Sequence, residues 1–167
     1  LDTQYERVRQ YCLALKKMDP EAHVVLINDY PAVGIEYMKR GFPKEAFDAF
    51  GSEGAMFMRQ PERQPDWLCL LGVLHTWKRA KEHYGYTQPI WFTEALYHGT
   101  SPGNLTLHDQ GVIAVREAML ALANGVERMA AAGLLADSAD DYRWSNWGSS
   151  GFCFRDPEYN PKPSYAM

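Results

Sequence analysis

Short apolar runs and helix-period segments take turns along this chain, and that alternation is the tightest constraint on its fold. The order reads helix, strand, helix, strand, helix, strand, helix, strand. Tyr5 to Met18 has helical spacing, with Tyr5, Val8, Tyr11, Cys12 and Leu15 recurring every three or four residues. Asp19-Pro20 stops it, because the proline ring disfavours a helical residue before it. His23 to Ile27 reads as a buried strand that delivers Asn28-Asp29 at its tip. A second helical zone covers Gly34 to Phe50, interrupted at Gly41-Phe42-Pro43, and Gly54 to Met58 is expected as the next strand, ending at Arg59. Asp66 to Tyr84 is the clearest helix: Asp66 can cap it, and Trp67, Leu70, Leu71, Leu74 and Trp77 form an apolar stripe. Gly85 ends it, and Ile90 to Thr93 has the β-branched and aromatic character of a third strand. Leu107 to Asn124 is expected as the fourth helix, with Val112, Val115, Met119 and Leu122 on one face. Gly125 then turns the chain into a fourth strand, Val126 to Ala132. Such alternation with short connections implies an α/β fold, a parallel sheet covered by helices. Residues 137–167 are irregular and rich in aromatics, Gly, Ser and Pro, and are expected to form a terminal loop closing over the strand ends.

At 167 residues the chain suits a single domain with a real core. Its 46% hydrophobic and 23% charged residues are ordinary for a soluble globular protein. A net charge of -4 gives no basic footprint, so nucleic acid is not an expected partner. No apolar run approaches the roughly 20 residues of a membrane span, so none is expected. Cys12, Cys69 and Cys153 are odd in number and scattered, forming neither a disulfide framework nor a CxxC pair. Cys12 and Cys69 are expected to pack as small apolar residues. No His/Cys/Asp cluster has ligand spacing and no Gly-rich loop fits a phosphate, so neither metal nor cofactor is expected. The start at Leu1, without a signal-like segment, reads as a processed or truncated piece and leaves the compartment open.

In a parallel α/β protein the strand tips converge on one face, where catalytic groups are held. Pro89-Ile90-Trp91-Phe92-Thr93-Glu94-Ala95-Leu96-Tyr97-His98 is an apolar run that breaks off on a carboxylate. Glu94 is therefore the leading candidate for chemistry. By position, Asn28 and Asp29 join it from the first tip and Arg59 and Gln60 from the second. Tyr97 and His98 follow Glu94 itself, and Tyr142, Trp144, Asn146 and Trp147 come from the terminal loop. Carboxylate, guanidinium, imidazole and aromatic rings on one rim suit a polyhydroxylated ligand. The other reading makes the aromatics packing residues at loop bases, Glu94 a structural ion-pair partner and His98 a satisfied loop histidine. His75 and His83 lie in a helix and are expected to be solvent-facing or packed. Glu36, Glu45 and Glu53 are read as helical or pre-strand positions and not as site residues.

These motifs resemble a family. Trp91-Phe92-Thr93-Glu94 after Tyr84-Gly85-x-x-x-Pro89 looks like strand seven of the retaining glycoside hydrolases with a (β/α)8 TIM barrel, the clan with catalytic glutamates at strands four and seven. Leu15 to Ile27 is similar to the helix leading into strand five, and Met56-Phe57-Met58-Arg59-Gln60-Pro61-Glu62 sits where strand six belongs. Asn124-Gly125-Val126-Glu127 resembles the turn into strand eight, and Asp156-Pro157 with Pro161-Lys162-Pro163-Ser164-Tyr165-Ala166 resembles the closing segment. A His-x-Tyr pair common at strand six is absent from Met56-Phe57-Met58-Arg59.

The resemblance implies that residues 1–167 are one partial catalytic domain, the C-terminal half of a barrel holding strands five to eight. It implies a glycosidase acting on a polysaccharide or oligosaccharide, with Glu94 as nucleophile. Asp29, Arg59, Tyr97, His98, Trp144 and Trp147 would bind the sugar. The general acid/base, expected as an Asn-Glu pair at strand four, has no match here. A whole barrel takes at least roughly 200 to 250 residues, so completion by an N-terminal half or by self-association is expected. A non-catalytic carbohydrate-binding barrel is the alternative, and an unrelated α/β enzyme a weaker one.

Overall fold

The computed structural model describes residues 2–28, 31–53, 70–95 and 106–131. They form a mixed α/β fold: α1 (Asp2–Met18), β1 (Val25–Asn28), α2 (Pro31–Lys39), a 3-10 turn (Lys44–Ala46), β2 (Ala49–Glu53), α3 (Leu70–Tyr84), β3 (Ile90–Ala95), α4 (Leu107–Ala123) and β4 (Val126–Ala131). The four strands make one sheet in the order β1-β2-β3-β4, every pair parallel. The alternation seen in the sequence is thus the architecture, and spatial order follows chain order.

Helix α1 carries Asp2 in its first turn and Lys16 and Lys17 in its last, matching the charges favoured at each end of a helix dipole. It buries Cys12 and packs Tyr5 and Val8 against the core. Tyr11 and Leu15, expected in the same stripe, instead face outward with Met18. The apolar residues of α1 therefore form two faces, and only one meets this core. The Lys16 ammonium pairs with Asp48 at 2.7 Å, and Asp48 also accepts the Val24 N–H at 2.6 Å. This joins the end of α1 to the feet of β1 and β2. Partial burial disfavours the Asp48 charge, but Lys16 and the Val24 N–H outweigh it and hold the carboxyl below its usual range.

Pro31 opens α2, a position where its missing N–H is no loss. Gly41 ends the helix at φ 70°, letting the Gly41 N–H reach Met38 O and the Phe42 N–H reach Tyr37 O. Phe42 then lies parallel to Tyr37 at 5.5 Å and edge-on to Tyr5 and Phe47. This aromatic series continues through Phe50 to Trp77 and Tyr86, and forms the centre of the core.

Two expectations are corrected. A strand forms at Ala49–Glu53, and Phe50 belongs to it, not to a helix. Its Gly51 and Ser52 carry little strand signal, but Ala49, Phe50 and Ser52 are all fully buried, so packing decides where the strand forms. Residues 54–58 lie outside those described. The second correction concerns α4. Val115, Met119 and Leu122 are exposed, and the buried face is Gln110, Ile113, Glu117 and Ala121. Both sets have helical spacing, so periodicity alone could not choose between them. The start of α4 is fixed by a capping box, in which the Asp109 N–H donates to Thr106 Oγ1 and the Thr106 N–H donates to Asp109 Oδ2.

Helix α3 buries Leu70, Val73, Leu74, Trp77 and Ala80 and ends at Gly85, whose φ is 71°. His75 and His83 on α3 are exposed and Cys12 is buried, as expected. Residues 66–69, including Cys69, and Cys153 lie outside the described residues.

Candidate active site

The carboxyl-terminal ends of the strands bring Asn28, Glu53, Glu94 and Ala131 to one edge of the sheet. Glu94 is the penultimate residue of β3, which runs two residues beyond the expected Thr93, and it is half-buried. Of the predicted site residues, Glu94 and Asn28, the last residue of β1, fall among the described residues. Asp29, Arg59, Tyr97, His98, Trp144 and Trp147 lie outside them, as do Gln60, Tyr142 and Asn146.

The sheet has two faces, and contacts identify them. Phe50 lies 5.1 Å from the Trp77 ring, and Ser52 Oγ accepts the Trp77 Nε1–H at 3.1 Å. Phe50 and Ser52 therefore lie on the α3 side of β2, and Ile90 and Phe92 are buried beside them on β3. Strand residues alternate between faces, which places Gly51, Trp91 and Thr93 on the far side. There the Trp91 Nε1–H donates to Glu127 at 2.7 Å, and the Arg128 guanidinium lies 4.4 Å from the Trp91 ring.

Regular alternation would send Glu94 to the α3 side with Phe92. The ladder does not allow it. Ser52 pairs with Phe92 but Glu53 pairs with Glu94, so β3 advances two residues where β2 advances one. Against β4, Phe92 pairs with Met129 and Ala95 with Ala131, so β3 takes three steps to two. Both neighbours locate one extra residue in β3 at Thr93-Glu94. The Thr93 hydroxyl spans the irregularity with a long 3.4 Å bond to Ser52 O. Such a bulge re-aims a strand next to functional sites. Here it brings position 94 to the face shared by position 53.

Glu53, read in the sequence as a pre-strand position, is the last residue of β2. The Phe-Gly-Ser-Glu-Gly spelling of that segment, an aromatic run stopping on a carboxylate before glycine, was the available signal. Among the described residues no cluster of three or more His, Cys, Asp or Glu could hold a metal, and no helix is long and apolar enough to cross a membrane. A cavity of about 520 Å³ lies at the other end of β3, between Leu74, Lys81, Ile90 and Gly125, with burial pulling the Lys81 ammonium below its usual range.

The fold and this edge define an α/β protein with carboxylates at the ends of a parallel sheet. No family model, curated protein or solved structure matches the chain.

Proposed function

We propose that this chain is the strand-five-to-eight half of a (β/α)8-barrel retaining glycoside hydrolase, with Glu94 as its nucleophile. The observation that carries the reading is the place of Glu94: the carboxyl end of the third strand in a parallel sheet whose spatial order repeats its chain order. Doubly wound sheets reverse order at a switch point and put ligands there. A barrel keeps the sequential order and builds its site from the ends of several strands. The strand-seven resemblance of Trp91-Phe92-Thr93-Glu94 supports the same assignment.

In this reading the Glu94 carboxylate attacks the anomeric carbon, the bond to the leaving oxygen breaks, and a glycosyl ester forms on the enzyme. Water then cleaves the ester with net retention. Asp29, Arg59, Tyr97 and His98 would bond sugar hydroxyls, with Trp144 and Trp147 as stacking platforms. The remaining four strands would come from an N-terminal half or a second copy, lying along β1 and β4.

The test is covalent trapping. Dinitrophenyl 2-deoxy-2-fluoroglycosides of glucose, mannose, galactose and xylose are offered to the protein in its full-length context, and peptide mass mapping is expected to find the sugar on Glu94. Glu94→Gln should abolish both labelling and turnover. Normal glycosidase turnover by Glu94→Gln would overturn the assignment. Oligosaccharide binding without labelling or cleavage would favour the carbohydrate-binding alternative.

A further inference from the structure

Positions 74, 78 and 81 recur at the spacing of one helix face, and on α3 that face carries Leu74, Lys78 and Lys81. It lines the cavity of about 520 Å³ at the amino-terminal end of β3, and exposed His75 and Glu82 complete the α3 side. Ammonium groups three positions apart on a helix are neighbours and repel. Among the described residues neither lysine forms an ion pair. Lys81 is half-buried, and that burial pulls its ammonium below its usual range. The opposite wall is the turn from α4 into β4, where Ala123, Asn124 and Gly125 bring no carboxylate.

The carbonyls ending α4 do not need the lysines as caps. The Asn124 N–H reaches Leu120 O and Ala121 O, each at 3.1 Å, its Nδ2–H reaches Leu120 O at 2.8 Å, and the Gly125 N–H reaches Leu122 O at 3.2 Å. The Tyr86 hydroxyl is likewise committed, donating to Phe42 O at 2.7 Å. Two lysines thus face one cavity against a single exposed carboxylate, beside the apolar side chains of Leu74 and Ile90. We propose that this cavity binds a small organic phosphate, with its head between Lys78 and Lys81 and its apolar part against Leu74 and Ile90. A phosphate monoester carries about −1.5 to −2 charges at neutral pH and answers both ammonium groups, whereas a monocarboxylate answers one. The volume lies in the range of small-molecule pockets, roughly 300 to 1,000 Å³, and leaves room for more than a bare phosphate. The site is distinct from the carboxyl-terminal edge: Ile90 and Glu94 lie four residues apart on β3, about 13 Å. It uses no residue of the glycosidase reading and stands or falls without it.

The test is calorimetric titration of the protein with phenyl phosphate, benzoate and inorganic phosphate. Phenyl phosphate is expected to bind saturably at one site, about tenfold or more tighter than benzoate, which lacks the second charge, and tighter than inorganic phosphate, which lacks the ring. Lys78→Gln and Lys81→Gln should each weaken phenyl phosphate binding about tenfold or more, since each removes one charge-assisted bond. Lys81→Arg, which keeps the charge, should retain binding, and Lys17→Gln on α1 should leave it unchanged. Thermal unfolding of the ligand-free variants separates a lost contact from a lost fold. Equal affinity for phenyl phosphate and benzoate, unchanged affinity in either glutamine variant, or no saturable binding of phenyl phosphate would overturn the proposal.

Discussion

Trp77 of α3 donates its indole N–H to the hydroxyl of Ser52 in β2 at 3.1 Å, with both residues fully buried. One side-chain bond thus fastens the helix layer to the strand whose next residue is Glu53. Ser52→Ala removes the acceptor from a buried donor and is expected to cost about 1 to 3 kcal/mol. Urea unfolding reads this as a lower midpoint at unchanged m-value. An unshifted midpoint would show that the bond contributes nothing net.

The same indole makes Gly34 obligatory. A Cβ at position 34 would sit 2.1 Å from Cη2 and 2.6 Å from Cζ3 of Trp77, whose ring is confined by Phe50 at 5.1 Å. Gly34→Ala is expected to destabilise by about 1 to 3 kcal/mol through overpacking. Because the clash is with one ring, Trp77→Leu should cost less in the Gly34→Ala background than in the wild type. A double-mutant cycle by thermal unfolding checks the coupling, and strict additivity would refute it.

Glu117 is buried in α4 with Oε1 lacking a hydrogen-bond partner, and burial pushes its carboxyl up to about 8. The ordinary value is 4.5. Between these values the unfolded chain releases the proton while the folded chain keeps it, so this group's contribution to stability declines as pH rises through that window. Glu117→Gln, neutral at every pH, should match the wild type near pH 4.5 and exceed it by a few kcal/mol, on an order-of-magnitude basis, near pH 8. Melting both proteins across this range is the check, and parallel curves would sink the prediction.

Exposed apolar side chains concentrate on the first and last helices: Tyr11, Leu15 and Met18 on α1, and Val115, Met119 and Leu122 on α4. Contiguous apolar surface of this kind marks an interaction face. Among the described residues β1 pairs only with β2, and β4 only with β3, so both open sheet edges accompany these helices. The isolated chain is expected to sediment as a species larger than 19.0 kDa. Met119→Lys combined with Leu122→Lys should shift it toward monomer. A wild-type chain that is already a monodisperse monomer would count against the barrel reading.

The sequence was most legible where one signal had no competitor. Ile90-Trp91-Phe92 could only be a buried strand, and Leu70 to Trp77 only one face of a helix, and both lie where expected. Legibility failed where burial overrode pattern. Gly51 and Ser52 hid β2 because neither has strand propensity of its own, and the strand is held to α3 through Phe50 and Ser52 at Trp77. On α4 a buried Gln110 and Glu117 displaced the more apolar stripe, reversing the face that hydropathy favours. Glu94 was visible as a carboxylate ending an apolar run, but its pairing with Glu53 was not. That pairing depends on a one-residue irregularity in the ladder, which leaves no mark in composition or period.

The irregularity at Thr93-Glu94 also sets how this segment can tolerate change in length. Deleting Thr93 would put Glu94 directly after Phe92, so the register from Ser52–Phe92 to Glu53–Glu94 would continue without a break. A regular ladder against β2 and a carboxylate opposite Glu53 are compatible at this spot. The extra residue therefore lengthens β3 by one position, and removing it leaves the same two residues paired at the strand ends.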